Sequence, residues 1–279
     1  MKFNPYLEVI LAAVIWGTHG VFVKSLDLPP TTISFFRLAI PTIILLVYFK
    51  AKKIDFLSVE NRSLMFFASL LFAIKTIFIV LGFQLAPLST AIIIAYTWPI
   101  FATILGIIIL KEKIIRQNIY LLFVSFIGIV LISFNQTISF GNLEFLGLSF
   151  MLLGAILHAS VIVIFKKESD NNSKYTTIFY QNFIGFLIFL PFIFINKPLP
   201  TLFQAGIGIS YGVVIGIVGF ILFFSALKKI NASTASHLTY VEVISAAIFG
   251  IVLFGELLTW NVLLGGILII ASTYFLKRE

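Results

Sequence analysis

The sequence predicts an all-α integral membrane protein, with ten transmembrane helices arranged as two inverted five-helix repeats. Three observations predict it: a composition too apolar for water, ten apolar stretches whose connections alternate in charge, and a second half that echoes the first. Of 279 residues 60% are apolar and 11% charged, and the mean hydropathy is +1.12. A soluble chain of this size still leaves about a quarter of its unfolded area wet, so this apolar surplus needs an apolar solvent. The same composition excludes intrinsic disorder.

Windows of roughly 19 residues place spans near 5–24, 31–49, 63–82, 87–110 and 118–134, then 144–165, 175–195, 203–227, 232–254 and 260–276. Each is about long enough to cross ~30 Å of hydrocarbon as a helix. Helix is required because a lone strand would leave backbone groups unpaired in lipid. A β-barrel is excluded, since its strands alternate polar and apolar residues and these runs do not. Lys2 before the first span resembles the charged start of a signal peptide. Nine further apolar segments follow and no small-residue cleavage site stands out, so the first span is expected to be retained.

The net charge of +8 does not describe a nucleic-acid stripe, because the cations fall in short clusters between apolar runs. One set of connections holds Lys2, Lys50, Lys52, Lys53, Arg62, Lys111, Lys113, Arg116, Lys166, Lys167, Lys174, Lys228, Lys229, Lys277 and Arg278. The other set holds Lys24 and Lys197. This asymmetry predicts both termini on the cytoplasmic side, in a bacterial cytoplasmic (inner) membrane. An odd number of spans would scramble the alternation. The absence of cysteine excludes disulfides and thiolate chemistry.

Residues 90–112 (TAIIIAYTWPIFATILGIIILKE) and 234–256 (TASHLTYVEVISAAIFGIVLFGE) align at an offset of 144, matching Thr90 with Thr234, Tyr96 with Tyr240, Gly106 with Gly250 and Glu112 with Glu256. Weaker echoes join 12–24 to 154–166, where Trp16 meets His158, and 32–37 to 177–182, where Arg37 meets Asn182. The division falls at 1–137 and 138–279. Five spans per copy is an odd number, so the second copy enters the membrane inverted. Two related halves of opposite topology can expose one site alternately to each face, which a channel does not need.

Trp16-Gly17, Phe36-Arg37, the proline-bearing span 4 and the glycine and glutamate endings of spans 4 and 9 resemble the EamA family of the drug/metabolite transporter superfamily. The resemblance covers two units near 7–134 and 145–277. It implies ten helices around a central cavity and carriage of amino acids, nucleotide-like metabolites, sugars or drugs. The chain departs from the family with Glu242-Val243 in place of Glu-Pro and Lys111-Glu112 in place of Gly-Glu.

Lys75 and Glu242 are the leading site candidates, because an ionisable group at mid-span costs ~2.5–3.5 kcal/mol on insertion scales and usually faces a cavity. Lys75 would meet a carboxylate or phosphate, and Glu242 an amine or a proton. The alternative is a Lys75–Glu242 ion pair that only holds two spans together. Trp16, Tyr96, Trp98, Tyr240 and His158 are candidate substrate contacts, as aromatics at this depth stack on rings or hold cations. Each could equally be core or lipid-facing. Pro99 is expected to kink span 4 by freeing the Ala95 carbonyl. His237 shares a helical face with Tyr240 and is a candidate for proton coupling with Glu242, against a plain structural histidine. Arg37 is expected to be structural, and Gly208, Gly212 and Gly216 to form a packing ridge.

His19, His158 and His237 are scattered without companions at ligand spacing, so no metal is expected. No nucleophile–base pair, phosphate loop or cofactor motif is present, so an enzyme is not expected. The leading reading is a secondary carrier of a small polar metabolite, an amino acid or related zwitterion favoured. Its partners would be the solute and the lipid bilayer, without nucleic acid, as a monomer or homodimer. The competing reading is a non-transporting scaffold or a lipid-modifying enzyme.

Overall fold

The computed structural model describes residues 4–56, 59–86, 88–133, 142–197, 199–255 and 257–277. Lys2, Glu256 and Arg278 lie outside them, as does the side chain of Thr90. Helix is the only regular structure among the described residues. Eight stretches are long and apolar enough to cross a membrane, and two shorter apolar helices, Arg116–Ile132 and Trp260–Tyr274, accompany them.

The first stretch is α1 (Pro5–Gly17) continued by α2 (His19–Leu26), followed by α3 (Pro30–Lys52) and α4 (Arg62–Leu85). The fourth is α5 (Leu88–Ala95) with α6 (Trp98–Ile109), and α7 (Arg116–Ser133) ends the first half. In the second half, α8 (Asn142–Lys167) precedes α9 (Lys174–Phe189) with a short α10 (Phe192–Ile195). Then α11 (Leu202–Val213) runs through a π-helical turn (Val214–Gly219) into α12 (Phe220–Leu227). Finally α13 (Ala232–Leu238) and α14 (Val241–Phe254) form one broken stretch before α15 (Trp260–Tyr274).

Several helix starts carry side-chain caps that satisfy otherwise orphaned N–H groups. Asn4 accepts from Tyr6 N, Asn61 from Leu64 N, and Ser173 from Thr176 N, while Thr201 and Gln204 form a reciprocal capping box. Gly255 ends α14 in the left-handed region at φ 67°, where a glycine carries no Cβ penalty.

Three stretches are broken midway, each at a threonine. Thr18, Thr97 and Thr239 donate their hydroxyls at 2.6 Å to Ile15 O, Ile94 O and Ser236 O, three residues back. This local bond tightens the turn in place of the regular helical ladder. Pro99 stands in the first turn of α6, where its missing N–H costs little, so it follows the break instead of kinking a continuous helix. Val243 occupies the corresponding region of α14, and that stretch breaks as well.

The main packing partners are α4 with α8 and α9, α7 with α15, α3 with α9 and α11, α1 with α12 and α14, and α6 with α8 and α13. The basic connections gather at one end. There Glu8 pairs with Lys229 at 3.0 Å, Lys166 Nζ donates to Leu227 O, and Asn118 exchanges bonds with the Lys277 backbone. At the opposite end Gln204 donates to Leu26 O, and Asn196 to the hydroxyls of Thr31 and Thr32.

The two ends differ in packing. Every residue of Ala232–Tyr240 is buried, as are Phe220, Phe223, Phe224, Ala226 and Leu227 of α12, all towards the basic end. Towards the other end α2 buries only Leu26, and α14 only Val243, Ser245 and Gly250. In α4 burial is concentrated in Met65–Ala73 and then thins, with Gly82 the later exception. Along these helices burial is therefore denser towards the basic end.

Candidate solute-binding site

The breaks in α1–α2, α5–α6 and α13–α14 bring a polar cluster to the middle of the bundle. Glu242, in the first turn of α14, shares a side-chain hydrogen bond with Tyr96 at the end of α5. Ser245 Oγ donates to the Glu242 backbone carbonyl at 2.9 Å and to Ala13 O at 3.3 Å, fastening this turn to α1. Tyr240 OH donates to Tyr96 O at 3.1 Å and its ring lies 6.3 Å from that of Tyr96. Tyr240 is fully buried, so it braces Tyr96 from behind.

Lys75 projects from α4 with its ammonium 5.0 Å from the centre of the Phe72 ring. No carboxylate lies within 4.0 Å of it among the described residues, and no acceptor bonds it. The tight Lys75–Glu242 ion pair considered from sequence is thus not formed, although the field of Glu242 reaches Lys75. Trp98 lies parallel on His158 at 4.5 Å, and Phe72 meets the edge of His158 at 6.3 Å. These three rings form the wall beside Lys75.

Arg37, expected to be structural, is anchored beside this cluster. Its guanidinium donates to Asn182 Oδ1 at 3.2 Å and lies 4.9 Å from the centre of the Phe220 ring. Its charge acts on His19, Lys75, His158, Tyr211 and Glu242. His19 Nδ1 and Tyr211 OH are 2.9 Å apart, joining α2 to α11. Arg37, Lys75, Tyr96, His158 and Glu242 are enclosed by the body of the protein yet none is fully buried, and His19 is exposed. These charged and aromatic side chains thus keep part of their surface accessible within the bundle.

Two candidates stand at the margin of this cluster, Trp16 through Phe220 and His237 through Tyr240, whose ring lies 6.1 Å from the His237 ring. Trp16 packs on Phe220 and Phe223, and its indole donates to Ile215 O at 3.3 Å inside the π-helical turn. His237 is buried and its Nε2 lies 2.9 Å from Ser125 Oγ of α7, which in turn bonds Ser272 of α15. An open depression of about 540 Å³ between α2 and α11 is lined by Phe22, Leu202, Phe203, Gly206, Ile207 and Ser210, outward of the His19–Tyr211 contact. Another, of about 330 Å³, lies at the basic end among Tyr48, Asp55, Asn172 and Tyr175. Neither includes Lys75 or Glu242.

Broken spans meeting at a cluster of charged and aromatic side chains are features of a solute transporter. The EamA-like transporter family model matches residues 4–134 and 145–278, and the chain belongs to that family, within the drug/metabolite transporter superfamily. It is a transporter and not an enzyme. An S-adenosylmethionine uptake transporter of Rickettsia prowazekii (strain Madrid E) is 29% identical over 98% of this chain and 95% of that protein. An uncharacterized transporter of Archaeoglobus fulgidus is 25% identical, covering 97% of this chain and 95% of its own length. Solute carrier family 35 member G1 of Mus musculus is 24% identical, covering 95% and 75%. A solved crystal structure superposes with a TM-score of 0.83 over 96% of this chain and 94% of that one, at 14% identity, which speaks to fold alone.

Proposed function

We propose that the chain is a secondary transporter that moves a small amine-bearing organic solute across the cytoplasmic membrane by alternating access. Both termini lie in the cytoplasm in this reading, with the basic end of the bundle facing inward. The two halves, 1–137 and 138–279, act as inverted five-helix repeats. The packing supports that reading, since exchanging the halves turns α4–α8 into the α1–α12 pairing, and α6–α8 into α1–α14. The less densely buried end is then the outward opening, and the basic end must part to release solute inward.

One observation carries the proposal. Among the described residues Lys75 is a mid-span ammonium with an aromatic neighbour, Phe72, but no hydrogen-bond acceptor, in a hollow it shares with a Glu242 carboxylate already held by Tyr96. An anionic group on the solute satisfies Lys75 and an amine satisfies Glu242, as an amino-acid end does. S-adenosylmethionine, the solute named for the Rickettsia relatives, has such an end and a ring for the Trp98–His158 wall.

The test is counterflow of labelled S-adenosylmethionine and amino acids in liposomes, using native protein, Lys75→Ala and Glu242→Gln. Each variant is expected to lose at least tenfold in uptake while inserting normally, judged by gel filtration. Native-level uptake in both variants would refute the roles given to these side chains.

A further inference from the structure

The charges of the site do not balance, and their sign constrains the solute. Of the eleven acidic residues, Glu242 alone falls in the middle of a span, while two cations, Arg37 and Lys75, do so. Arg37 is answered only by a neutral amide, Asn182, and an aromatic face, Phe220. One guanidinium nitrogen is engaged there, and the rest of the fork is unclaimed among the described residues. Lys75 has no acceptor at all among them. Glu242 is shared with the Tyr96 hydroxyl. Whether or not Glu242 holds a proton, the empty hollow is net positive.

A carrier must take its loaded site through an occluded state, where an uncompensated charge is most costly. We infer that the solute carries an excess of negative charge: an amine-bearing compound with two anionic groups, such as an acidic amino acid, with Arg37 and Lys75 as its specificity determinants. One anionic group meets Lys75, the second takes the free edge of the Arg37 guanidinium, and the amine meets Glu242. With Glu242 ionised, the loaded site then sums to zero. The inference rests on the proposed carrier function and on the same site. It separates this chain from the solute named for its Rickettsia relatives, because S-adenosylmethionine adds a sulfonium, and the hollow has no second carboxylate for it.

Two pairs of near-isosteric solutes differ by one charge and so isolate this effect. They are l-glutamate against l-glutamine, and S-adenosylhomocysteine against S-adenosylmethionine. Affinities are measured by isothermal titration on the purified full-length protein in nanodiscs. In each pair the more negative member is expected to bind at least roughly tenfold tighter, the size that one unit charge several ångströms away gives at an intermediate dielectric. Arg37→Gln and Lys75→Met should each shrink that gap several-fold. Equal affinities within the pairs, or tighter binding of S-adenosylmethionine or glutamine, overturn the inference. If S-adenosylmethionine wins and is still taken up in a Lys75-dependent way, the carrier function survives and only the charge rule falls. If none of the four binds, both fall.

Discussion

Glu112 offers a direct test of the proposed opening at the basic end. Its carboxylate reaches across from the end of α6 and accepts from Ala232 N at 2.6 Å and Ser233 N at 3.2 Å, capping α13 from the other half of the chain. Nearby, the hydroxyls of Thr103 and Ser233 are 2.9 Å apart. Gly106 makes the reach possible, because a Cβ there would come within 2.7 Å of the Glu112 carboxylate. Glu112→Ala removes both acceptors. Losing a helix N-cap costs about 0.5–2 kcal/mol, and hydrogen bonds to a charged group contribute about 1.5–3 kcal/mol each. Water can partly replace them at this half-exposed position, which argues for a net near 2 kcal/mol. That corresponds to roughly 30-fold in the equilibrium between closed and open forms of this end. The chain has no native cysteine, so Ala235→Cys, on the fully buried α13, gives a single reporter. Its alkylation by a small maleimide should accelerate by about that factor when Glu112 is replaced. An unchanged rate would mean that the cap does not hold the end closed.

Two further expectations concern packing and proton handling. At the α7–α15 crossing, a Cβ on Gly128 would lie 2.7 Å from the Gly265 carbonyl, and backbone cannot swing aside. Gly128→Ala should therefore destabilise by about 1–3 kcal/mol, read as a lower unfolding midpoint in detergent; an unchanged midpoint counts against the observed register. His237 is tied to Ser125 and stands at the margin of the cluster, so His237→Asn should weaken the α7–α13–α15 junction yet leave the pH profile of transport in place. A flattened profile would restore His237 as a proton carrier.

The apolar lengths of eight spans and the alternating charge of the connections were legible in the sequence, because lipid imposes length and apolarity on each span separately, while Arg116–Ile132 and Trp260–Tyr274 fall short of the expected length. The end-on gathering of Lys166, Lys229 and Lys277 follows directly from that alternation. The breaks were only half legible. Pro99 marks one, yet the break before α14 has no proline, and Thr239 makes it by a local bond that Thr97 and Thr18 also make. A threonine donating three residues back is a weak sequence signal, since most mid-span threonines bond four back without breaking the helix, as Thr42 and Thr76 do.

Lys75 and Glu242 stood out because charge at mid-span is rare, whereas Tyr211 and His19 did not, since a tyrosine or histidine among 44 aromatics in an apolar run carries no such mark. Arg37 shows why rarity alone does not assign a role. It was expected to be structural, and it does contact Asn182, its counterpart in the second half, at 3.2 Å. A single amide satisfies one of five guanidinium donors and none of the charge. The unmet remainder is left for the second anionic group of the inferred solute. A residue's pairing can be read from a repeat, but the balance of charge around it needs helices from both halves in place.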